Sequence, residues 1–220
     1  MAGALALRNY IYPINYVVYN LALSINPRYA LVYGNRGAAR MALGDYQGAI
    51  KDCDRALHLD SNFSEAYNVR GSIRCYLGDN PGAIEDFTEA ICLNPIDNYY
   101  YNRGVLQYLQ GNNNEAIEDF TKTLELNPNF IAAYYNRGNI RYDLGDEEGG
   151  FEDYNQSMAV ESGDIDAPDE HGYYGRGIAR SRLGDNPGAI ADLQKAATLC
   201  SERGNTAFYE KIQEAISRLQ

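Results

Sequence analysis

The sequence predicts an all-α protein, built as a solenoid of antiparallel helix pairs. Three observations support this fold class. A segment of 13 residues, clearest as YYNRGNIRYDLGD at Tyr134–Asp146, occurs in five copies along the chain. A second segment with apolar residues at helical spacing follows each copy. A proline or a serine then closes each unit, as Pro95 and Pro128 do.

The first segment of each unit is predicted to be a helix that ends in a glycine turn. Its first glycine recurs at spacings of 34, 33, 34 and 39 residues, at Gly37, Gly71, Gly104, Gly138 and Gly177. A second glycine follows seven residues later in each copy, at Gly44, Gly78, Gly111, Gly145 and Gly184. We expect the first glycine to let the two helices of a pair approach each other closely.

The second segment is predicted to be the other helix of the pair. Its clearest copies read AIKDCDRALHL, AIEDFTEAICL and AIEDFTKTLEL. In the last of these, Ala116, Ile117, Phe120 and Leu124 recur at helical spacing. One pair of helices cannot bury its apolar faces alone, so the pairs are expected to stack into one continuous core.

These motifs identify a family. Tyr–x–x–x–Gly, Leu–Gly–Asp, Ala–Ile, a central aromatic residue, Ala–Leu and Asn–Pro resemble the tetratricopeptide repeat (TPR), with tyrosine at the usual tryptophan position. The resemblance covers about residues 28–201 and implies a right-handed superhelical solenoid with a C-terminal capping helix. The expected organisation is a partial or degenerate first repeat over 1–27, five units at about 30–63, 64–96, 97–130, 131–162 and 170–201, and a cap over 202–220.

The two ends and one insertion complete this organisation. Tyr12–Pro27 aligns with the second helix of a unit, and Asn205–Leu219 reads as a final helix with Asn205 as its N-cap. The apolar stripe of that final helix is predicted to be Phe208, Ile212, Ala215, Ile216 and Leu219. The acidic insertion Glu161–Gly172 lacks the ligand order of a calcium-binding EF-hand loop, so it is interpreted as a solvated loop.

Charge and composition narrow the range of partners. The formal net charge is −11, which disfavours nucleic acid and anionic lipid surfaces. No apolar stretch is long enough for membrane insertion, and no basic secretion signal begins the chain, so a cytoplasmic protein is expected. The four cysteines form no CxxC pair, which predicts neither a metal site nor a redox dithiol but reduced, mostly buried thiols.

Catalysis is not predicted. The chain has two histidines, His58 and His171, and neither is placed to activate a serine or cysteine. No glycine-rich phosphate loop is present, because the repeat geometry accounts for the glycines. The expectation is a protein that is not an enzyme, with no catalytic residues, no metal and no cofactor.

The TPR resemblance implies a concave groove lined by the first helix of each pair. Counting from each first glycine, the groove face is expected to carry the residues three and two before it and one and four after it. The predicted groove residues are Asn35, Asn68, Tyr101, Asn102, Tyr108, Tyr135, Asn136, Asn139, Tyr142 and Tyr174. No lysine falls on this face, so the carboxylate clamp of chaperone-binding members is not expected.

Two patterns each admit two interpretations. The tyrosines and asparagines form either a peptide groove, since asparagine can both donate to and accept from a peptide backbone, or simply a polar helix surface. An arginine directly before every first glycine, with an aspartate early in every second helix, indicates either pairing between the two helices or a basic ladder for an acidic ligand. The one-to-one match of arginine with aspartate favours pairing.

The function expected from these patterns is a scaffold or adaptor that binds a partner protein or peptide in a groove lined by tyrosine and asparagine. One alternative is a self-assembling module, such as a homodimer, that associates through the N-terminal half-repeat. Another is a non-catalytic domain of a larger protein.

Overall fold

The computed structural model describes residues 15–161 and 170–219, and the regular secondary structure in these ranges is entirely α-helical. Residues 1–14, which include the start of the partial first repeat, lie outside the described residues. So does 162–169, most of the segment interpreted as a solvated loop, together with residue 220.

The chain divides into two compact units, Met1–Leu106 and Gln107–Gln220. The first unit contains α1 (15–25), α2 (Ala30–Ala42), α3 (Tyr46–Leu59), α4 (Ser64–Tyr76), α5 (Asn80–Leu93) and most of α6 (Asp97–Leu109). The second contains α7 (Asn113–Leu126), α8 (Ile131–Asp143), α9 (Glu147–Glu161), α10 (Glu170–Arg182), α11 (Asn186–Arg203) and α12 (Thr206–Ser217).

Consecutive helices pack as pairs, which confirms the predicted all-α fold. The pairs are α2 with α3, α4 with α5, α8 with α9, and α10 with α11. Gly37 shows why the sequence needs a glycine at this interface: a Cβ atom there would lie 3.0 Å from Cys53 Sγ and 3.3 Å from the Ala49 carbonyl oxygen. The pairs close tightly because this position has no side chain.

The turn inside each pair combines a glycine with an aspartate cap. Gly78 has a φ of +85°, a left-handed conformation that glycine adopts without steric strain. The next residue, Asp79, accepts a hydrogen bond from the Gly82 backbone N–H at 3.1 Å, which satisfies an orphan donor in the first turn of α5. Asp45, Asp146 and Asp185 make the same bond.

Arginine–aspartate pairing holds the two helices of a pair together, as the structural interpretation predicted. Asp86 on α5 is buried and accepts hydrogen bonds from Arg70 Nε at 2.9 Å and Arg70 Nη2 at 2.7 Å, and Arg74 Nη1 lies 2.9 Å away. The same arrangement joins Arg36 and Arg40 to Asp52, Arg137 and Arg141 to Asp153, and Arg176 and Arg180 to Asp192. In these four pairs the arginines therefore belong to the framework rather than to an open basic ladder.

The same arginines also reach the preceding second helix. Arg36 Nη1 donates to Asn20 Oδ1 on α1 at 2.8 Å, and Arg70 Nη1 donates to Asp54 Oδ1 on α3 at 2.6 Å. In the second unit Arg137 Nη1 donates to Thr121 Oγ1 on α7 at 3.0 Å. One guanidinium thus ties three helices together.

Helix α12 closes the C-terminal end as the predicted cap. The Asn205 side chain accepts a hydrogen bond from the Phe208 backbone N–H at 3.4 Å, which confirms its position as N-cap. Ile212 and Ile216 are buried against α11, and Phe208, Ala215 and Leu219 pack around them. The predicted apolar stripe is therefore confirmed.

The cysteines are less uniformly buried than the sequence suggested. Cys53 and Cys200 are buried, but Cys75 is half-buried and Cys92 is exposed, and all four are free thiols. Burial raises the pKa of the Cys53 thiol from its ordinary value of 9.0 to about 12. Cys53 is therefore a packing residue and not a nucleophile.

Candidate functional site

In the first unit, the predicted groove residues form a polar surface on the first helices. Asn102 Nδ2 donates to Asn68 Oδ1 at 2.9 Å, so these two side chains are hydrogen-bonded to each other. Asn35 is exposed and Tyr101 is half-buried. These asparagines are therefore not all open donors and acceptors, because part of their capacity is used within the fold.

In the second unit, four predicted groove residues line one cavity of about 420 Å³. They are Tyr135 and Asn139 on α8, Tyr142 at the end of α8, and Tyr174 on α10. The other lining residues are Asp143, Tyr154, Gly175, Ile178, Phe208 and Lys211. Asn136 is half-buried on α8 and Tyr108 is half-buried on α6, and neither lines this cavity.

The floor of the cavity contains a tyrosine that the sequence analysis missed. Tyr154 on α9 is 2% exposed, and its hydroxyl donates to Asn139 Oδ1 at 2.6 Å. Burial raises the pKa of Tyr154 far above its ordinary range, so the phenol stays a neutral donor. A signal was present, because Tyr154 occupies the central aromatic position of Phe87 and Phe120, where a hydroxyl needs a partner.

This hydrogen bond fixes the orientation of the Asn139 amide. The Asn139 oxygen faces Tyr154, so the amide nitrogen remains as a donor, and it has no hydrogen-bond partner among residues 15–161 and 170–219. A ligand carbonyl oxygen in the cavity can accept from it.

The predicted groove residue Tyr142 lines the cavity but is mostly buried. Tyr142 is only 7% exposed and packs against Tyr154 and Ala179. The Arg182 guanidinium lies 4.2 Å from the centre of its ring, and its hydroxyl donates to the Ile178 carbonyl oxygen at 3.4 Å. Burial raises the pKa of Tyr142 to about 12. Tyr142 therefore forms part of the cavity wall, where residues of the next helix pair cover it.

The expectation of no lysine concerned the first helices of the five repeats, and the capping helix adds a lysine to this cavity. Lys211 lines the cavity from α12, and its Nζ lies 5.1 Å from the centre of the Tyr174 ring and 6.0 Å from that of Phe208. The Tyr174 and Phe208 rings meet edge to face at 5.2 Å between centroids. The sequence analysis missed Lys211 because the capping helix has no place in the repeat alignment.

A second opening of about 420 Å³ adjoins this cavity. Tyr174, Ile178 and Lys211 line both spaces, and Arg182, Glu214 and Arg218 border the second. An occupant longer than one side chain therefore has room to continue along α10 and α12.

The lining of the cavity is mainly aromatic, with a few polar side chains. Aromatic faces supply rigid contact area, and Asn139 and Lys211 supply polar groups that can orient a ligand. Among the described residues, no three His, Cys, Asp or Glu side chains are grouped so that they could hold a metal ion. Likewise, none of the helices described is long and apolar enough to cross a membrane.

Comparison with known proteins identifies the repeats. A sequence model of the family "Tetratricopeptide repeat" matches residues 30–63 and 98–130. RNA polymerase II-associated protein 3 of Xenopus tropicalis is 54% identical over 41 residues, and its Xenopus laevis counterpart is 51% identical over 41 residues. That match covers 19% of this chain and only 6% of the length of either relative.

Solved structures show the same fold. PilF of Pseudomonas aeruginosa aligns with a TM-score of 0.82 at 16% identity, covering 97% of this chain and 94% of PilF. YrrB, described as a TPR protein with an unusual peptide-binding site, aligns with a TM-score of 0.69 at 18% identity, covering 88% and 97%. MamA aligns with a TM-score of 0.66 at 22% identity, covering 80% and 94%. At these identities the likeness concerns the fold alone.

Proposed function

This chain is a tetratricopeptide repeat protein, and we propose that it is an adaptor that binds an extended segment of a partner protein in the cavity of its second unit. TPR proteins generally mediate protein–protein interaction, and their fold is typically a non-catalytic scaffold. The observation that carries the proposal is the aromatic cavity with an oriented amide donor. Asn139 supplies that donor, and Tyr174 and Phe208 supply the contact area.

The geometry suits an extended peptide better than a compact small molecule. The cavity opens along α10 into a second space of similar volume, so one side chain can occupy the first space while the backbone continues. Asn139 can donate to a backbone carbonyl oxygen that every peptide has, and the aromatic walls can select the side chain. The peptide-binding site named for YrrB, which has the same fold, is consistent with this proposal.

A peptide selection tests the proposal. A random heptapeptide display library is panned on the full chain, and enriched peptides are synthesised and measured by fluorescence anisotropy. Replacing Tyr174 by alanine is expected to weaken binding about tenfold or more, as loss of an aromatic contact at the centre of an interface typically does. Tyr76→Ala is the matched control, because Tyr76 is an exposed tyrosine of the first unit.

Tyr154→Phe refines the same test. It keeps the ring, as Phe87 and Phe120 do at the equivalent position, but releases the Asn139 amide, so binding should weaken by about threefold to tenfold while the fold is retained. If no peptide is enriched, or if enriched peptides bind the Tyr174 and Tyr76 variants equally well, the cavity is not the binding site.

Self-association remains a second candidate function because of one observation on α1. Val17, Leu21 and Ile25 lie on one helical face and are 66%, 64% and 78% exposed. When α1 is aligned with α7 by the repeat, Val17 and Leu21 correspond to the charged residues Glu118 and Lys122. An apolar stripe of this kind on a helix is typical of a protein contact.

Light scattering over a concentration series distinguishes this candidate. If α1 mediates assembly, a Val17→Glu and Leu21→Lys double variant should be monomeric at concentrations where the natural chain is a dimer. Leu77→Lys, at another exposed leucine of the same unit, should change nothing. A natural chain that stays monomeric throughout removes the candidate.

A further inference from the structure

Two opposite charges, Asp143 and Lys211, line the cavity of the second unit. Asp143 is the last residue of α8 and Lys211 lies on α12, and both side chains are exposed. Neither forms an ion pair or a hydrogen bond with the residues that the structure describes. Other charges nearby are paired: Arg218 Nη2 lies 2.6 Å from Glu214 Oε1, and Arg182 Nη1 lies 3.8 Å from Glu147 Oε1.

The two charges belong to different helices that flank α10. Helix α8 packs on α10, and α12 meets α10 through the Tyr174–Phe208 contact. Asp143 and Lys211 therefore line the cavity from two different helices, together with aromatic residues and Ile178. The cavity thus combines a mainly aromatic lining with one negative and one positive side chain.

Each charge lies near aromatic rings of the cavity. The Asp143 carboxylate is close enough to the phenols of Tyr108, Tyr142 and Tyr154 to contribute to the upward shift of their pKa values, for which burial is the first cause. The Lys211 ammonium lies over the Tyr174 ring. An opposite charge on a ligand would pair with each of these groups, for which the described residues supply no counter-ion.

We infer that the cavity recognises a peptide segment with a large apolar or aromatic residue between one basic and one acidic residue. The basic side chain reaches Asp143, the apolar side chain fills the space between Tyr174 and Asn139, and the acidic side chain reaches Lys211. This inference rests on the proposed peptide-binding function and specifies its ligand. The charges fix which way the segment lies in the site, because electrostatic complementarity confers orientation and specificity more than affinity.

A charge exchange tests the inference. Peptides enriched on the natural chain are synthesised in two forms, one as selected and one with the basic and acidic residues exchanged. On the natural chain the exchanged form should bind about tenfold more weakly. On an Asp143→Lys and Lys211→Glu double variant, which keeps the net charge, the preference should reverse. Lys195→Glu, at an exposed lysine of α11, should leave the preference unchanged.

The outcomes separate the two proposals. If exchange alters the dissociation constant by less than about twofold, while Tyr174→Ala still weakens binding about tenfold or more, the inference fails and the peptide-binding proposal stands. If neither Tyr174→Ala nor the charge exchange affects binding, or if no peptide is enriched, both fail. Because both charged residues are exposed, circular dichroism should show the fold unchanged in the double variant, so that a lost preference cannot be attributed to unfolding.

Discussion

A buried aspartate near the start of a second helix holds two guanidinium groups, one from each of two arginines on the first helix. Asp86 is the clearest case, with its side chain 3% exposed and those of Arg70 and Arg74 16% and 28% exposed. Such a pair is strongly coupled, because removing the aspartate leaves two partly desolvated arginines without their buried partner, and only the more exposed Asp54 and Asp79 remain beside them.

Asp86→Ala should therefore lower the free energy of unfolding by about 3 kcal/mol, towards the lower end for buried pairs because the arginines keep some contact with water. The matched control is Glu125→Ala, which removes an ion pair with Lys122 whose side chains are both 55% exposed, and should cost under about 0.5 kcal/mol. Urea denaturation followed by circular dichroism measures both. Equal effects would show that the buried pairs contribute no more than surface ones.

The cysteines provide a residue-scale test that depends on pH. The Cys53 pKa of about 12 lies above its ordinary 9.0, so the folded state holds the thiol proton more tightly than the unfolded state. The stability associated with the neutral thiol is complete below pH 9 and is lost as the pH rises from about 9 towards 12. At pH 8, a thiol reagent should label the exposed Cys92 rapidly and Cys53 only on unfolding. Equal labelling rates in the folded protein would contradict the packing described for Cys53.

At the scale of single helices, the third sequence repeat, which contains α6 and α7, departs from the capping pattern of the other repeats. Asp79 caps α5 through the Gly82 N–H, but Asn112, which precedes α7, makes no side-chain cap. Its amide nitrogen instead donates to Gln107 Oε1 at 2.7 Å. In the capped repeats, the residue three positions after the capping aspartate is a glycine, as Gly82 is after Asp79. In the third repeat the equivalent residue is Glu115.

Asp79→Ala should consequently destabilise the protein by about 1 kcal/mol, the usual loss when an N-cap is removed. Asn112→Ala should cost less than about half of that, since no capping bond is lost. Denaturation midpoints of the two variants give the comparison. A larger effect for Asn112 would mean that its bond to Gln107, and not helix capping, stabilises this turn.

At the scale of the whole chain, the repeat period was enough to predict the helix pairs, while the site needed more. Gly37 and Gly78 mark the close contact and the turn in sequence alone, because few other residues fit those backbones. Tyr142 and Tyr174 both fall on the groove face predicted from the repeat. Tyr142 is nevertheless buried, and Arg182 of the following helix pair covers its ring. The sequence pattern of one repeat does not show which side chains of the next helix pair will cover a given tyrosine.

Lys211 and Tyr154 show two further reasons why the site could not be fully predicted. The repeat alignment ends before α12, so nothing in it indicated that Lys211 would join the cavity. Tyr154 occupies an aromatic core position, and only the hydrogen bond to Asn139 reveals that its hydroxyl reaches the groove side of the pair. The repeat sequence therefore predicts that a core residue such as Tyr154 is buried, but not which partner its hydroxyl will find.

The central claim is that the cavity between α8, α10 and α12 binds a peptide segment. Its most direct test is a titration of the full, ¹⁵N-labelled chain with a selected heptapeptide, followed residue by residue in ¹H–¹⁵N correlation spectra. The account predicts that the largest shifts fall at Asn139–Asp143, Tyr174–Ile178 and Phe208–Lys211. Shifts concentrated on α1, or on the outer faces of α3 and α5, with these three segments unchanged, would contradict it.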